Sequence, residues 1–333
     1  MSNLYITEKG IKISTNQGRL VLTPQNGEVM NVPFAEVDSL TITEGVSLTS
    51  NSVIALLQNG IPCTYMSGKG KVYGRLNSTK HVDIERQRKQ FRLGEDSAFC
   101  LEISKKIISA KINNQTVLLK RYNRIRQNQD VENLIQKISL LHNPLERSTT
   151  IPELLGFEGM AARHYFEALA KIVPEAIKFS GRNRMPPTDE FNSLLSYGYT
   201  ILLYEIFTAI ENKGLNPYAG YLHKDKRGHP ALASDLLEEW RSVIIDSLVM
   251  NMVLNFHIQP NDFEWDNASR AVYINKLGKQ KFIRALEKKL DVEVAYFDNE
   301  KTSFRKGITI QVMKLVKTIE EENAEIYSPI KIR

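Results

Sequence analysis

Near residue 76 the apolar residues of this chain change their spacing. Upstream, LYIT, KIST and RLVLTP are short runs rich in Ile, Val, Leu and Thr, separated by turn residues such as Lys9-Gly10 and Asn16-Gln17-Gly18. DSLTIT, IPCTYM and KVYGRL read the same way, and SNSVIALLQNG reads as one short helix with Gly60 at its C-terminal cap. Downstream, Phe99, Ile103, Ile107, Ile108 and Ala110 recur at three-to-four spacing, and Val117, Leu118 and Tyr122 continue it. A strand period followed by a helix period predicts an α+β chain, with a small N-terminal β-rich domain carrying one helix and a larger all-α domain after it. At 333 residues the chain also exceeds what one core usually organises. The expected division is 1–75, a polar linker at 76–90 (LNSTKHVDIER and onward), and a helical domain over 91–333.

Within the helical part, the spacing predicts further helices at 131–141, 156–173, 190–212, 231–255, 278–290 and 302–321, with AVYI at 271–274 as one arm of a hairpin. The terminal SPIKIR is expected to be mobile. No segment approaches about 20 unbroken apolar residues, and MSNLYITEKG has no basic start followed by an apolar run, so neither a membrane partner nor a signal peptide is read here. Cys63 and Cys100, the only cysteines, read as buried thiols of a reducing cytoplasm, the expected location.

The net charge is +6, and it is unevenly placed. Residues 76–150 carry 14 Lys+Arg against 8 Asp+Glu, whereas 1–75 carry 6 against 5 and 151–333 carry 24 against 25. A local surplus of cations suits a polyanion, although a solvated helix surface looks the same in sequence.

GYLHKDKRGHPALASDLLEEW, residues 220–240, juxtaposes His223, a basic loop (Lys224, Lys226, Arg227) and a carboxylate-rich helix opened by Pro230. Asp235 and Glu238 lie three apart on one helix face, and Glu239 is turned about 100° from Glu238. Two carboxylates near an imidazole can form a divalent-cation site, but spacing alone favours reading them as surface charges near a helix N-terminus. In LLGFEGMAARHYFEAL, Glu158 stands between Phe157 and Gly159 near the start of a largely apolar helix, so it needs a partner, ionic or metallic. GRNRMPPTDEFNSLLSYGYTILLYEI carries Arg182, Arg184 and Asn192 around a Pro-Pro break and reads as a capped, well-packed helix.

LLGFEGMAARHYF, GRNRMPP with FNSLLSYGYTILLYE, and GLNPYAGYLHKDKRGHPALASDLLEEWR together resemble the CRISPR-associated spacer integrases, and AEVDSLTITEGVSLTSNSVIALLQNGIPCTYMSGKGKVYGRL resembles that family's β-domain. The likeness covers nearly the whole chain in order. It implies a metal-dependent DNA integrase and endonuclease of CRISPR adaptation, inserting short duplexes into a CRISPR array by 3′-hydroxyl attack. By the same resemblance Glu158, His223 and Glu238 are the metal ligands for Mg²⁺ or Mn²⁺, with Asp235 supporting them in catalysis. Arg163, Arg184 and Asn192 fall on family positions near the site, and Lys224, Lys226 and Arg227 are expected to hold DNA phosphates. Met185 stands where relatives commonly have arginine. The implied partners are DNA, a second copy of the chain through residues 1–75, and a small adaptation protein. A catalytically inactive DNA-binding scaffold and a stand-alone nuclease are the competing expectations.

Overall fold

The computed structural model describes residues 2–177, 179–183, 186–297 and 300–332. It divides into two compact units, Met1–Val82 and Asp83–Arg333.

The first unit contains β1 (Ser2–Ile6), β2 (Lys12–Asn16), β3 (Arg19–Thr23), β4 (Met30–Pro33), β5 (Val37–Thr43), β6 (Ser47–Leu48), α1 (Ser50–Asn59), β7 (Cys63–Met66) and β8 (Val72–Leu76). One sheet has the order β1-β5-β7-β8, with β1, β5 and β7 parallel and β8 antiparallel. The other has the order β4-β3-β2-β6. Alternation places Leu20 and Leu22 of β3 inside while Arg19 and Thr23 face out. Ile13, Leu20, Leu22, Leu40, Ile42 and Cys63 from the two sheets then share one core with Leu56 of α1. Thr49 caps α1 by accepting from the Ser52 N–H, and Gly60 closes it at φ 70°, a left-handed conformation that glycine adopts without cost.

The second unit is built from α2 (Ile84–Glu95), α3 (Ser97–Arg126), α4 (Gln129–Leu140), α5 (His142–Glu146), α6 (Ile151–Ile172), α7 (Glu190–Asn212), α8 (Ala231–Trp240), α9 (Ser247–Leu254), α10 (Lys276–Leu290) and α11 (Phe304–Glu320). Two antiparallel hairpins interrupt the helices: β9 (Phe263–Asp266) with β10 (Ala271–Ile274), and β11 (Glu293–Phe297) with β12 (Glu300–Ser303). The first contains the expected AVYI arm; the second, EVAYF with EKTS, lies where no strand was expected. α3 spans 30 residues, about 45 Å at 1.5 Å per residue, and packs against α4, α6 and α8. α7 is apolar and long enough to cross a membrane by length and composition, but Phe191, Leu194, Leu195, Leu202 and Ile206 are buried inside this unit, as in a core helix.

Three expectations change. Residues 84–90, read as linker, form the first turns of α2, which Asp83 caps through the Arg86 N–H. The single helix expected over 231–255 is interrupted by a π-helical segment, Arg241–Asp246, between α8 and α9. Residues 328–332 form a strap anchored at Ile330 and Ile332 rather than a mobile tail. Ile330 N–H donates to Glu239 Oε2 at 2.7 Å, Ile332 N–H donates to Asn114 Oδ1 at 2.9 Å, and both isoleucine side chains are buried.

Candidate metal and DNA site

Three helices and one loop supply the site. α3 brings Lys111, α6 brings Glu158, α8 brings Asp235 and Glu238, and the loop before α8 brings His223. The reading of Asp235 and Glu238 as surface charges does not hold: both are buried, Asp235 completely.

Asp235 organises the loop. Its Oδ2 accepts from the N–H of Tyr221 at 2.7 Å and of Leu222 at 3.0 Å, and its Oδ1 accepts from the His223 N–H at 3.0 Å. Oδ1 also meets His223 Nδ1 at 2.6 Å. A carboxylate only accepts, so Nδ1 carries a proton, and in the neutral imidazole Nε2 keeps its lone pair. Burial disfavours the charged imidazole, but the hydrogen bond to Asp235 and its charge outweigh this and raise the His223 pKa above the ordinary value. Grouped by resemblance with the catalytic residues, Asp235 is a positioning residue in this geometry, because its carboxylate is committed to residues 221–223.

Glu158 and Glu238 come from different helices and converge on one cation, the Lys111 ammonium. Lys111 Nζ donates to Glu158 Oε1 in a short hydrogen bond and lies 2.6 Å from Glu238 Oε2. The ammonium thus bridges the two carboxylates and is, among the described residues, the cation closest to Glu238 Oε2. Arg241, the first residue of the π-helical turn, reaches the other oxygen of Glu238 at 3.3 Å. Burial raises the Glu238 pKa, but Arg241 and Lys111 overcome this and hold the carboxyl well below the usual carboxylate range. Burial likewise opposes the Lys111 charge, and Glu238 and Glu158 reverse that, leaving its pKa above the ordinary lysine value.

Behind this layer, Asp246 at the end of the π-helical turn accepts from Tyr165 Oη of α6 at 2.6 Å and from Tyr199 Oη of α7. The guanidinium of Arg241 lies over the Tyr199 ring, 4.7 Å from its centroid, and that of Arg182 at 5.5 Å. π-helical segments are rare and occur mostly as single turns inside α-helices, frequently at functional sites. Here the turn sets Arg241 toward Glu238 and Asp246 toward both tyrosines.

Lys111, Arg241, Asp246, Tyr165 and Tyr199 were not singled out from sequence as site residues. Lys111 belongs to the basic excess of residues 76–150, but it falls four after Ile107 and three after Ile108, on the apolar stripe of its helix. That position was the available signal.

The basic loop Lys224–Arg227 is exposed beside His223, and its three cations make no ion pair among the described residues. Arg163 is exposed on α6. Asn192, expected to face DNA, is fully buried; its amide bonds Asp189, Gly181 O, the Asn183 N–H and Arg182, so it holds the 181–183 loop. Arg184 and Met185 lie outside the described residues.

Among the described residues no three His, Cys, Asp or Glu side chains form a ready-made metal cluster. The donor chemistry nonetheless suits a divalent cation. Two buried or half-buried carboxylates from different helices already share one positive charge, and an imidazole beside them is held by Asp235 through Nδ1.

The sequence matches the family model for CRISPR associated protein Cas1 over residues 4–288. A CRISPR-associated endonuclease Cas1 from Mycobacterium tuberculosis is 36% identical over 253 residues, covering 75% of this chain and 74% of that one. Among solved structures, a CAS1 protein from Thermotoga maritima has a TM-score of 0.82 at 23% identity, covering 96% of this chain and 97% of that one. A casposase bound to integration product has a TM-score of 0.83 at 23% identity, covering 97% and 92%. With a family match across most of its length and the same fold throughout, this chain belongs to the CRISPR-associated Cas1 family.

Proposed function

We propose that this chain is the metal-dependent DNA integrase and endonuclease of CRISPR adaptation. The observation that carries the reading is the convergence of Glu158 and Glu238 on one cation next to an imidazole fixed by Asp235. In the reaction, a 3′-hydroxyl of a short captured duplex attacks a phosphodiester at the edge of a CRISPR repeat. A new P–O bond forms, the P–O bond to the repeat strand breaks, and the displaced 3′-oxygen leaves with a proton. Water in place of the hydroxyl gives hydrolysis at the same site.

Glu158 and Glu238 would offer carboxylate oxygens and His223 its Nε2 to the cation. A bound Mg²⁺ or Mn²⁺ supplies Lewis-acid stabilisation of the phosphate and a lower pKa for the attacking oxygen. Asp235 keeps the imidazole in the tautomer that leaves Nε2 open. Arg241 keeps Glu238 ionised. Lys224, Lys226 and Arg227 are placed to bind phosphates without reading bases, with Arg163 and Arg184 as further contacts. Residues 1–75 serve as the dimerisation surface, and a small CRISPR adaptation protein joins dimers so that both ends of a captured duplex can be held. A cytoplasmic location follows from a chromosomal DNA substrate.

The test is integration into a repeat-bearing plasmid with the purified partner and Mn²⁺ or Mg²⁺. Glu158→Ala, His223→Ala and Glu238→Ala should each abolish joined products while DNA binding persists. Full integration by all three variants would sink the site assignment. Cleaved but never joined products would favour a stand-alone nuclease, and neither product under any metal would favour an inactive scaffold.

A further inference from the structure

We propose that Lys111 is a built-in competitor for the divalent cation: its ammonium pairs Glu158 with Glu238 when no divalent ion is bound, and gives up that position when one binds. This rests on the reading of Glu158, His223 and Glu238 as metal ligands.

The placement of Lys111 is the first ground. Its residue is 7% exposed, on the face of α3 that also buries Ile107, Ile108 and Ile112. A lysine in such a position needs an anionic partner, and this one has two, from two other helices. The second ground is the form of the contact. Nζ donates to Glu158 Oε1 and also lies 2.6 Å from Glu238 Oε2, so a single cation bridges the two carboxylates.

The third ground is charge balance. Glu158 and Glu238 face Lys111 and Arg241, so these four charges cancel. A divalent ion sharing the same two carboxylates would meet the ammonium at like-charge contact range, where repulsion is strong in a buried setting. Arg241 is less able to leave, since its guanidinium also lies over Tyr199. Lys111 has a flexible four-carbon stem and a partner, Glu158, whose side chain is 21% exposed. Lys111 is therefore the cation that yields. Two consequences follow: the buried carboxylates are never left unpaired, and metal affinity is lower than the ligand set alone would give.

The experiment is Mn²⁺ binding to the purified full-length protein, read by electron paramagnetic resonance of free Mn²⁺ and by thermal melting with and without the ion. Wild type, Lys111→Met, Lys111→Gln and Glu238→Gln are compared. Removing the competing charge should tighten Mn²⁺ binding roughly tenfold or more in both Lys111 variants. Their melting temperatures should fall below wild type in chelator and rise further than wild type on adding Mn²⁺. The Gln variant keeps a donor to both carboxylates and serves if the Met variant does not fold. A purely structural lysine would give lower melting temperatures with unchanged or weaker Mn²⁺ binding, which overturns the proposal while Glu238→Gln still abolishes binding. If Glu238→Gln binds Mn²⁺ as wild type does, the ligand assignment itself fails, and the proposal with it.

Discussion

At the scale of single residues, the chemistry of this site depends on how tightly neighbours constrain each polar atom. Asp235 accepts four contacts from residues 221–223, which works only because residue 220 has no side chain. A Cβ on Gly220 would lie 2.7 Å from Asp235 Oδ2 and 2.9 Å from Ala231 Cβ. Gly220→Ala should therefore push the carboxylate off the loop and tilt His223. With His223 as the ligand proposed above, the disturbed groups orient it rather than bind the ion, and strand-transfer rate and Mn²⁺ affinity should drop about 10- to 100-fold. The fold should survive, as circular dichroism would report. Unchanged rate and affinity would mean that His223 does not depend on this loop geometry.

At the scale of elements, the two features that depart from regular structure meet on either side of Glu238. The π-helical turn Arg241–Asp246 follows it in sequence, and the C-terminal strap is tied to its neighbour Glu239. Glu239 points away from the site, as its 100° offset from Glu238 requires, and accepts from Tyr327 Oη and the Ile330 N–H. Burial pushes its carboxyl up to about 7, against the opposing pull of those hydrogen bonds. A folded pKa above the unfolded one means that the stabilisation is complete below about pH 4.5 and is lost as pH rises through about 7. Wild type should accordingly lose about 3 kcal/mol more than Glu239→Gln between pH 5 and pH 8. Denaturant unfolding at a series of pH values measures this, and parallel pH profiles would show Glu239 ionised throughout.

At the scale of the whole molecule, the basic excess of residues 76–150 divides into two populations. Arg86 pairs with Glu320 at 2.6 Å, Arg92 pairs with Glu322, Lys89 donates to Glu320 O, and Lys106 donates to Glu325 O. These cations hold the end of α11 and the residues after it, and Lys111 is buried in the site. Lys120, Arg121, Arg124 and Arg126 remain exposed at the C-terminal end of α3. Replacing Lys120, Arg124 and Arg126 by Gln should flatten the slope of log K for DNA against log salt by about 2 to 3. Arg92→Gln should leave that slope unchanged. Equal effects from both sets would mean that pairing with α11 does not withdraw charge from DNA.

The sequence by itself determined the period change, the α+β class, the limits of α7 and the capped α1, because these follow from local spacing and turn chemistry. It also determined the resemblance that pointed to Glu158, His223 and Glu238, because those motifs are contiguous. Only the tertiary structure decided that Lys111 is a buried partner of two glutamates, that Asn192 and Asp235 hold loops, that the helix after Glu238 re-winds, and that residues 328–332 are a strap. The Lys111 cluster and the strap join groups 47 to more than 200 residues apart, whose meeting depends on how the helices pack. A charged residue has the same letter whether it faces water or another buried charge; only the packing of those helices distinguishes the two.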